Sequence, residues 1–250
     1  MQIKTDGLII RDLNVGESDR IVTILTREKG VVRASARGAR IIKSRISPAT
    51  QLLSHSDFTL YQGRDKYIIN EAEPLDFFMG VRQNLDKLAI AQYLSELEGC
   101  LAPQEADAEI YLRLALNALH LIDNGKRPLP LIKAAIEMRL LTITGYMPDL
   151  VACRSCGAYE ADVMYFEPES AGIICSKCRT EAAGGYPLSR GALAALRHTV
   201  YADFERLFSF SLPEGALTQL CRASERYLLC CLERSFATLD FYNSLSGKQV

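Results

Sequence analysis

Histidine is scarce in this 250-residue chain, and its three histidines stand in none of the common catalytic patterns. His55, His120 and His198 are followed by Ser-Asp, Leu-Ile and Thr-Val, so the His-x-Glu of a zinc deaminase and the HExxH of a zinc protease are both absent. A GxxxxGK[ST] phosphate loop is also missing, since His120 stands where Gly125-Lys126 would need its first glycine. Without a GxSxG elbow either, we expect no enzyme. A hydrolase or transferase built on a carboxylate pair from distant positions stays an alternative.

Long apolar runs are lacking as well. The most apolar stretch, residues 129–145, is interrupted by Lys133, Glu137 and Arg139, whereas a membrane helix needs roughly 18 apolar residues. The N-terminus opens on mostly polar residues and lacks the apolar core of a secretion signal. With 48% hydrophobic and 24% charged residues, the composition is that of a globular protein. We therefore expect a cytoplasmic protein.

Cysteine is plentiful, with eight residues, yet a cytoplasmic protein is not expected to hold disulfides. Two C-x2-C pairs separated by 18 residues have the spacing of a zinc ribbon. Four thiolates complete a tetrahedron and leave no position for water, so they predict one structural Zn2+ on Cys153, Cys156, Cys175 and Cys178. A redox CxxC is the competing interpretation, and two pairs in register disfavour it. We expect the other cysteines, Cys100, Cys221, Cys230 and Cys231, to be inert buried thiols.

Residues 1 to about 75 read as β structure. Short runs of β-branched and aromatic residues alternate with turn signals. The runs lie at residues 8–10, 21–25, 31–36, 58–61 and 67–69. Five short strands in this length predict a small closed barrel, which removes exposed sheet edges.

From about Phe78 the apolar spacing becomes helical. Five helices are predicted, and since none is apolar all round they should pack as an antiparallel bundle. Their positions are residues 85–97, 110–124 with a stop at Gly125, 129–143, a helix capped by Ser189, and a last helix near 213–236. The fold class is thus α+β, with a barrel domain (1–78), a helical domain (79–151 and 183–250) and an inserted four-cysteine zinc module (152–182).

Positive charge is concentrated in one segment although the net charge is only −1. Seven basic residues stand between Arg27 and Arg45 against a single acid, Glu28. Strand alternation places Arg33 and Arg37 on one face, and basic residues at this density suit a phosphate backbone. A solvated face without a ligand is the alternative. The candidate nucleic-acid contacts are Arg33, Arg37, Arg40, Lys43 and Arg45, with Tyr61 and Tyr67 as residues that stack on bases.

Three segments in this region are familiar: GESDRIVT at residues 16–23, TREKG at 26–30 and ARGAR at 36–40. Together with GYMP at 145–148 and the cysteine region, they resemble the bacterial RecO recombination mediator family in the same order along nearly the whole chain. The resemblance implies an OB-fold barrel that binds single- and double-stranded DNA, and a nucleoid-associated protein. It also implies annealing of strands coated by single-stranded-DNA-binding protein, and loading of recombinase with RecR.

The resemblance further implies that the acidic C-terminal tail of the single-strand-binding protein docks on the helical domain. The basic residues there that can accept a terminal carboxylate are Lys126, Arg127, Lys133 and Arg139. A helix-packing face flanked by surface charges explains the same residues equally well. A different overall function stays open too, because an RNA-binding or transcription-associated zinc-ribbon protein would share the barrel and its basic surface.

Overall fold

The computed structural model describes residues 1–63, 66–180 and 185–245. The N-terminal part is a closed five-stranded barrel in which the strands follow the order β1-β2-β3-β5-β4. All five predicted strands are confirmed, and the barrel has the order expected of an OB fold. The strands are β1 (Gln2–Val15), β2 (Asp19–Thr26), β3 (Gly30–Ala36), β4 (His55–Gln62) and β5 (Tyr67–Asp76).

Strand alternation determines which side chains fill the barrel. In β3, Val32, Ala34 and Ala36 are buried in the core, where they meet Phe58 and Leu60 of β4. The alternate residues of β3 point outward, as the sequence predicts. Closure comes from a short parallel pairing of β3 with β5, so the barrel leaves no strand edge of β3 unpaired over that stretch.

Two compact units make up the chain. The first unit comprises Met1–Lys126 together with the segment that starts at Phe236, and the second comprises Arg127–Ser235. The predicted domain limits at residues 78 and 151 stay predictions, and the limit at 182/183 lies outside the described residues.

Short 3-10 turns occur at Pro48–Thr50, Pro168–Ser170 and Phe204–Arg206.

Among the described residues, the first unit has four helices beside the barrel: α1 (Met79–Arg82), α2 (Leu85–Leu101), α3 (Glu109–Asn124) and, further along the chain, α7 (Ala237–Leu245). Gly125 ends α3 in the left-handed region (φ 62°), which confirms the predicted stop. α7 packs on α2. Phe236, the residue before α7, meets Tyr93 of α2 edge to face with ring centroids 5.9 Å apart.

The turn between β2 and β3 is fixed against the segment that follows α2. Gly30 adopts φ 60°, and a Cβ added there would lie 2.0 Å from the carbonyl oxygen of Pro103. The next residue, Val31, donates its N–H to that same oxygen at 2.8 Å. Only glycine fits this close approach and this conformation, so the barrel and the α2–α3 connection are joined at Gly30.

The second unit contains α4 (Leu129–Ile143), α5 (Arg190–Tyr201) and α6 (Glu214–Leu232). The predicted cap of α5 is confirmed, because the Ser189 side chain accepts the N–H of Ala192. The prediction of one last helix near residues 213–236 is wrong at its C-terminal end. α6 ends at Leu232, since Glu233 turns left-handed (φ 49°), and the separate helix α7 was not predicted.

Helix α4 is buried along its middle, from Leu131 to Leu141, including its charged residues. Lys133 Nζ lies 2.7 Å from Glu137 Oε1 and 2.7 Å from Glu225 Oε2 of α6. Ser224 donates its hydroxyl to the other oxygen of Glu137 at 2.7 Å. Burial by itself lowers the pKa of Lys133, but the two carboxylates outweigh it and hold that pKa above its ordinary value. The charges that interrupt the apolar run of α4 therefore form an internal network.

A small antiparallel sheet carries the cysteine region between α4 and α5. Its strands β6 (Met164–Glu167) and β7 (Gly172–Cys175) form an antiparallel pair that leads into Cys175, and β8 (Tyr186–Leu188) adds a third strand on the other side of β6. Among the helices of the described residues, none has both the length and the apolar character needed to cross a membrane.

Candidate metal centre and nucleic-acid interface

The four paired cysteines come together as predicted. Their sulfur atoms all lie within 4.8 Å of one another, and Cys156 Sγ is 3.8 Å from Cys175 Sγ. A tetrahedron of sulfurs about 2.3 Å from a zinc ion has edges of about 3.8 Å. The cluster of Cys153, Cys156, Cys175 and Cys178 can therefore hold one metal ion with all four thiolates.

Two tight turns place the sulfurs. Gly157 (φ 73°) closes the first turn by donating its N–H to the carbonyl oxygen of Cys153 at 2.8 Å. In the second turn Cys178 donates its N–H to the carbonyl oxygen of Cys175 at 3.1 Å. The N–H of Cys175 also donates to Cys153 Sγ at 3.3 Å, which links the two turns. Such N–H groups around sulfur favour the thiolate that a metal requires.

The ionisation of the cysteines differs sharply within the cluster. Burial raises the pKa of Cys153, but backbone N–H groups of Cys175 and Cys156 outweigh it and bring the pKa to about 6. Hydrogen bonds to Cys156 and Cys175 raise the pKa of Cys178 to about 12. Four thiolates at this separation repel one another, so a cation is the natural partner that allows all four to ionise together.

The remaining cysteines differ from their prediction. Cys100 and Cys230 are exposed, and Cys221 and Cys231 are half-buried, so the expectation of four buried thiols is wrong. Cys230 and Cys231 follow the apolar Leu228-Leu229 near the end of α6, where successive residues of a helix face different sides.

Arg197 of α5 fastens the first cysteine turn to the helices of the second unit. Its guanidinium donates to the carbonyl oxygens of Leu150 (2.8 Å), Val151 (2.9 Å) and Tyr159 (2.7 Å). The same group lies 4.0 Å from the ring centroid of Tyr159. Sequence reasoning missed this residue, because its partners lie 38 to 47 positions away along the chain.

The outer surface of the barrel carries the predicted basic residues. Arg33 and Arg37 are exposed, and neither forms an ion pair with any residue that the structure describes. Ser35 between them is in register with Ile68 of β5, and Ile68 is in register with Tyr61 of β4. Residues in register point to the same side of a sheet, so Tyr61, which is 48% exposed, faces outward from the barrel as the two arginines do.

The register adds a residue that the sequence reasoning missed. Arg11 of β1 is paired with Thr23 of β2, and Thr23 is paired with Arg33. Arg11 is exposed and therefore lies on the same outer face, two strands from Arg33 and about 10 Å away at the backbone. A signal for it exists in the sequence only once the β1–β2–β3 pairing is known. We call Arg11, Arg33, Arg37 and Tyr61 the basic face.

Tyr67, the other tyrosine predicted to stack on bases, is not part of the basic face. It lies in the barrel core at 7% exposure, beside Ala34 in the parallel pairing. Because its side chain points opposite to that of Ile68, the ring packs against apolar neighbours and offers no face to a base.

The loop that follows β3 carries three more of the predicted contacts, Arg40, Lys43 and Arg45, all exposed. We call residues 38–47 the basic loop. Arg40 donates from its guanidinium to the carbonyl oxygen of Gly16 at 2.7 Å. Arg45 instead lines a cavity of about 1030 Å3 that is rich in acids. The acids of that cavity are Asp6, Glu28, Asp57, Glu71 and Glu73.

Arg27 belongs to the basic segment of the sequence but not to a basic surface. Its guanidinium holds Asp6 through two hydrogen bonds of 2.7 Å and lies 3.2 Å from Glu109. Burial raises the pKa of Asp6, but hydrogen bonds from Arg27 and His55 outweigh it and leave that pKa below its ordinary value. The positive charge of Arg27 is therefore neutralised within the first unit.

The four residues predicted to receive an acidic peptide divide by burial. Lys126 is exposed and Arg127 is half-buried. Lys133 is 3% exposed within the network of α4, and Arg139 is buried and donates to the carbonyl oxygen of Ala202 at 2.7 Å. The last two charges thus serve helix packing and present no accessible basic surface.

Comparison with known proteins covers nearly the whole chain. The family model described as Recombination protein O N terminal matches residues 1–78, and Recombination protein O C terminal matches residues 82–240. Similar proteins named DNA repair protein RecO occur in Acetivibrio thermocellus (36% identical, 97% of each chain) and Symbiobacterium thermophilum (35% identical, 96% of each chain). Another, from Dehalococcoides mccartyi, is 32% identical over 97% of this chain and 95% of its own.

Proposed function

The chain belongs to the recombination protein O (RecO) family, and on that premise we propose that it is a DNA repair and recombination mediator that binds single- and double-stranded DNA. We further propose that it anneals complementary strands coated by single-stranded-DNA-binding protein and loads recombinase together with RecR. The mechanism is electrostatic. Cations on the barrel neutralise the phosphates of two strands and so lower the repulsion that opposes pairing. No covalent step is part of it.

The basic face is the observation that carries this proposal. Arg11, Arg33 and Arg37 are exposed on the outer surface of the barrel, and none of them is neutralised by an ion pair within the described residues. Tyr61 is also exposed on that outer surface and offers a ring on which a base can stack. Exposed cations and an exposed aromatic ring on an OB barrel favour a single-stranded nucleic acid as the ligand over the alternative of a solvated face without a ligand.

For the cysteine cluster we propose one structural Zn2+. Complete thiolate coordination leaves no position for a reacting water, and Arg197 ties the first turn to α5. The ion would hold the ribbon in shape, and the DNA contacts would come from the barrel.

The partners follow from the same family proposal. RecR and the acidic tail of the single-strand-binding protein are the protein partners, and the activity belongs in the cytoplasm at the nucleoid. Of the residues named for the tail, only Lys126 and Arg127 carry accessible charge, so a search for that contact starts with them.

The salt dependence of DNA binding tests the basic surface. If about five phosphates of a single strand are neutralised, log K against log salt should slope near −3.5. Arg33→Ala/Arg37→Ala should weaken binding about tenfold to a hundredfold and reduce that slope by about 1.4, equally for different sequences. Fluorescence anisotropy with labelled oligonucleotides over a salt series measures both. Lys4→Ala/Lys126→Ala removes two exposed charges from the same unit and should leave both values unchanged.

Strand annealing tests the function itself. Complementary strands already coated with single-strand-binding protein should pair faster in the presence of this protein without any nucleotide, because no phosphate loop is present. The rate gain should be lost in Arg33→Ala/Arg37→Ala and kept in Lys4→Ala, which removes an exposed charge of the same unit that is assigned to no partner. A protein that binds DNA but does not anneal would contradict the annealing function. A preference for RNA of the same sequence would contradict the DNA repair function and support the RNA-binding alternative.

A further inference from the structure

The basic loop (residues 38–47) is held firmly at both ends. Ala39 is fully buried in the barrel core, and Ile46 packs against the same core. Near the first end, Gly38 donates its N–H to Asp19 Oδ1 at 2.9 Å, and Arg40 donates its N–H to the carbonyl oxygen of Ser18 at 2.9 Å. The loop is therefore built as a fixed projection from the barrel.

Between these anchors the loop exposes two isoleucines. Ile42 is fully exposed (101% of the reference value) and Ile41 is 55% exposed. Two tight turns, from Gly38 to Ile41 and from Ile41 to Ser44, are closed by hydrogen bonds of 3.1 and 2.8 Å. Ile41 turns back, since its Cδ1 lies 3.3 Å from where a Cβ of Gly38 would be. Ile42 is left at the tip with its whole apolar side chain in water.

Cations stand on both sides of this apolar tip. Arg40 precedes it by two residues and Lys43 follows it directly, and both are exposed. A single exposed aliphatic residue is ordinary on a protein surface, but here it is anchored, adjacent to a second isoleucine and framed by positive charge. A ligand that fits this tip needs an apolar layer beside a row of anionic groups. A nucleic-acid strand meets this requirement, because its stacked bases lie beside its phosphates.

We propose that Ile42 inserts between neighbouring bases of the DNA strand whose phosphates contact Arg40 and Lys43. This inference rests on the proposed DNA binding and extends it from the phosphates to the bases. Aliphatic side chains inserted at a base step unstack it and bend the strand. An unstacked step exposes the pairing edges of its bases, and the loop would thereby prepare a bound strand for its complement.

A strand that contains 2-aminopurine tests the insertion, because this base fluoresces more strongly when it is unstacked. Saturating wild-type protein should raise its fluorescence. Ile42→Ser should abolish the rise and weaken binding about tenfold, the loss expected when one aliphatic side chain no longer finds an apolar site, with the salt slope unchanged. Ile42→Met should keep the rise. The matched control is Leu75→Ser, which removes another exposed aliphatic residue of the barrel and should behave as wild type.

The failures of the two proposals are distinguishable. No binding of the wild-type protein to the strand would overturn the DNA-binding function itself. Binding with no fluorescence rise, or an equal rise with Ile42→Ser, would overturn the insertion and leave DNA binding in place. Sedimentation with vesicles of anionic phospholipid that Ile42→Ser abolishes, together with an unchanged fluorescence rise, would assign the tip to a lipid surface instead.

Discussion

Replacing Cys175 by serine should remove the metal ion and unfold the ribbon. Cys175 is buried at the end of β7, and its N–H donates to Cys153 Sγ. Structural zinc contributes an apparent 10–16 kcal/mol, as an order of magnitude, in isolated zinc-finger peptides, and a whole domain is stable by only about 5–15 kcal/mol. Loss of one thiolate therefore leaves the short strands β6 to β8 without their main stabilisation, and the second unit should melt at a lower temperature.

Metal content by mass spectrometry and thermal unfolding by circular dichroism measure this effect. Cys230→Ser is the matched control, since Cys230 is exposed and lies outside the cluster. It should keep one zinc per chain and the wild-type melting temperature. A Cys175→Ser protein that still holds one zinc per chain and melts as wild type would show that the cluster is not the zinc site. Because the basic face is in the first unit, its DNA affinity at low temperature should stay within about threefold of wild type, far less than the change expected for Arg33→Ala/Arg37→Ala.

Lys133→Met should destabilise the protein by about 3–5 kcal/mol at pH 8, because it leaves two carboxylates buried without their cation. Lys133 is almost fully buried between Glu137 and Glu225. Burial already raises the pKa of Glu137, and removal of Lys133 should raise it further. When the pKa of a carboxyl is higher in the folded state than in the unfolded state, the folded state holds the proton more tightly. The free energy of unfolding therefore falls as the pH rises from the unfolded pKa to the folded pKa. The loss should accordingly be smaller at pH 5 than at pH 8.

Urea unfolding at the two pH values measures both expectations, with an unchanged m-value as the sign that only stability has moved. Lys133→Met/Glu137→Gln/Glu225→Gln is the control, since it removes all three charges and keeps an acceptor for Ser224. It should recover more than half of the lost free energy. A loss that is equal at both pH values and persists in the triple variant would mean that Lys133 acts through its packing volume.

Local pattern was sufficient for some parts of this fold. The alternation of Val32, Ala34 and Ala36 indicated the inward face of β3 because alternation is a local pattern. The four-cysteine cluster was also predictable, because each CxxC pair is local and two such pairs complete one tetrahedral site. Lys133 could not be read in this way. Its partner Glu225 lies 92 positions away on α6, so a charge that interrupts an apolar run looks the same whether it faces water or a buried carboxylate.

The two tyrosines show the same limit for the candidate site. Tyr61 and Tyr67 both stand in strands next to the basic segment, yet one is exposed and the other is in the core. Which face each occupies depends on the pairing of β4, β5 and β3, including a register shift between Thr59 and Leu60. A shift of one residue moves a side chain to the opposite face, and the composition of the strands does not record it.

The chain order of the two units has a consequence for biosynthesis. Tyr93 of α2 packs against Phe236, and Glu96 accepts the hydroxyl of Thr238, but these partners are separated from α2 by the entire second unit. At about 5–20 residues per second, the ribosome adds Phe236 on the order of ten seconds after the first unit's other helices. During that interval the surface of α2 that α7 will cover is exposed to water.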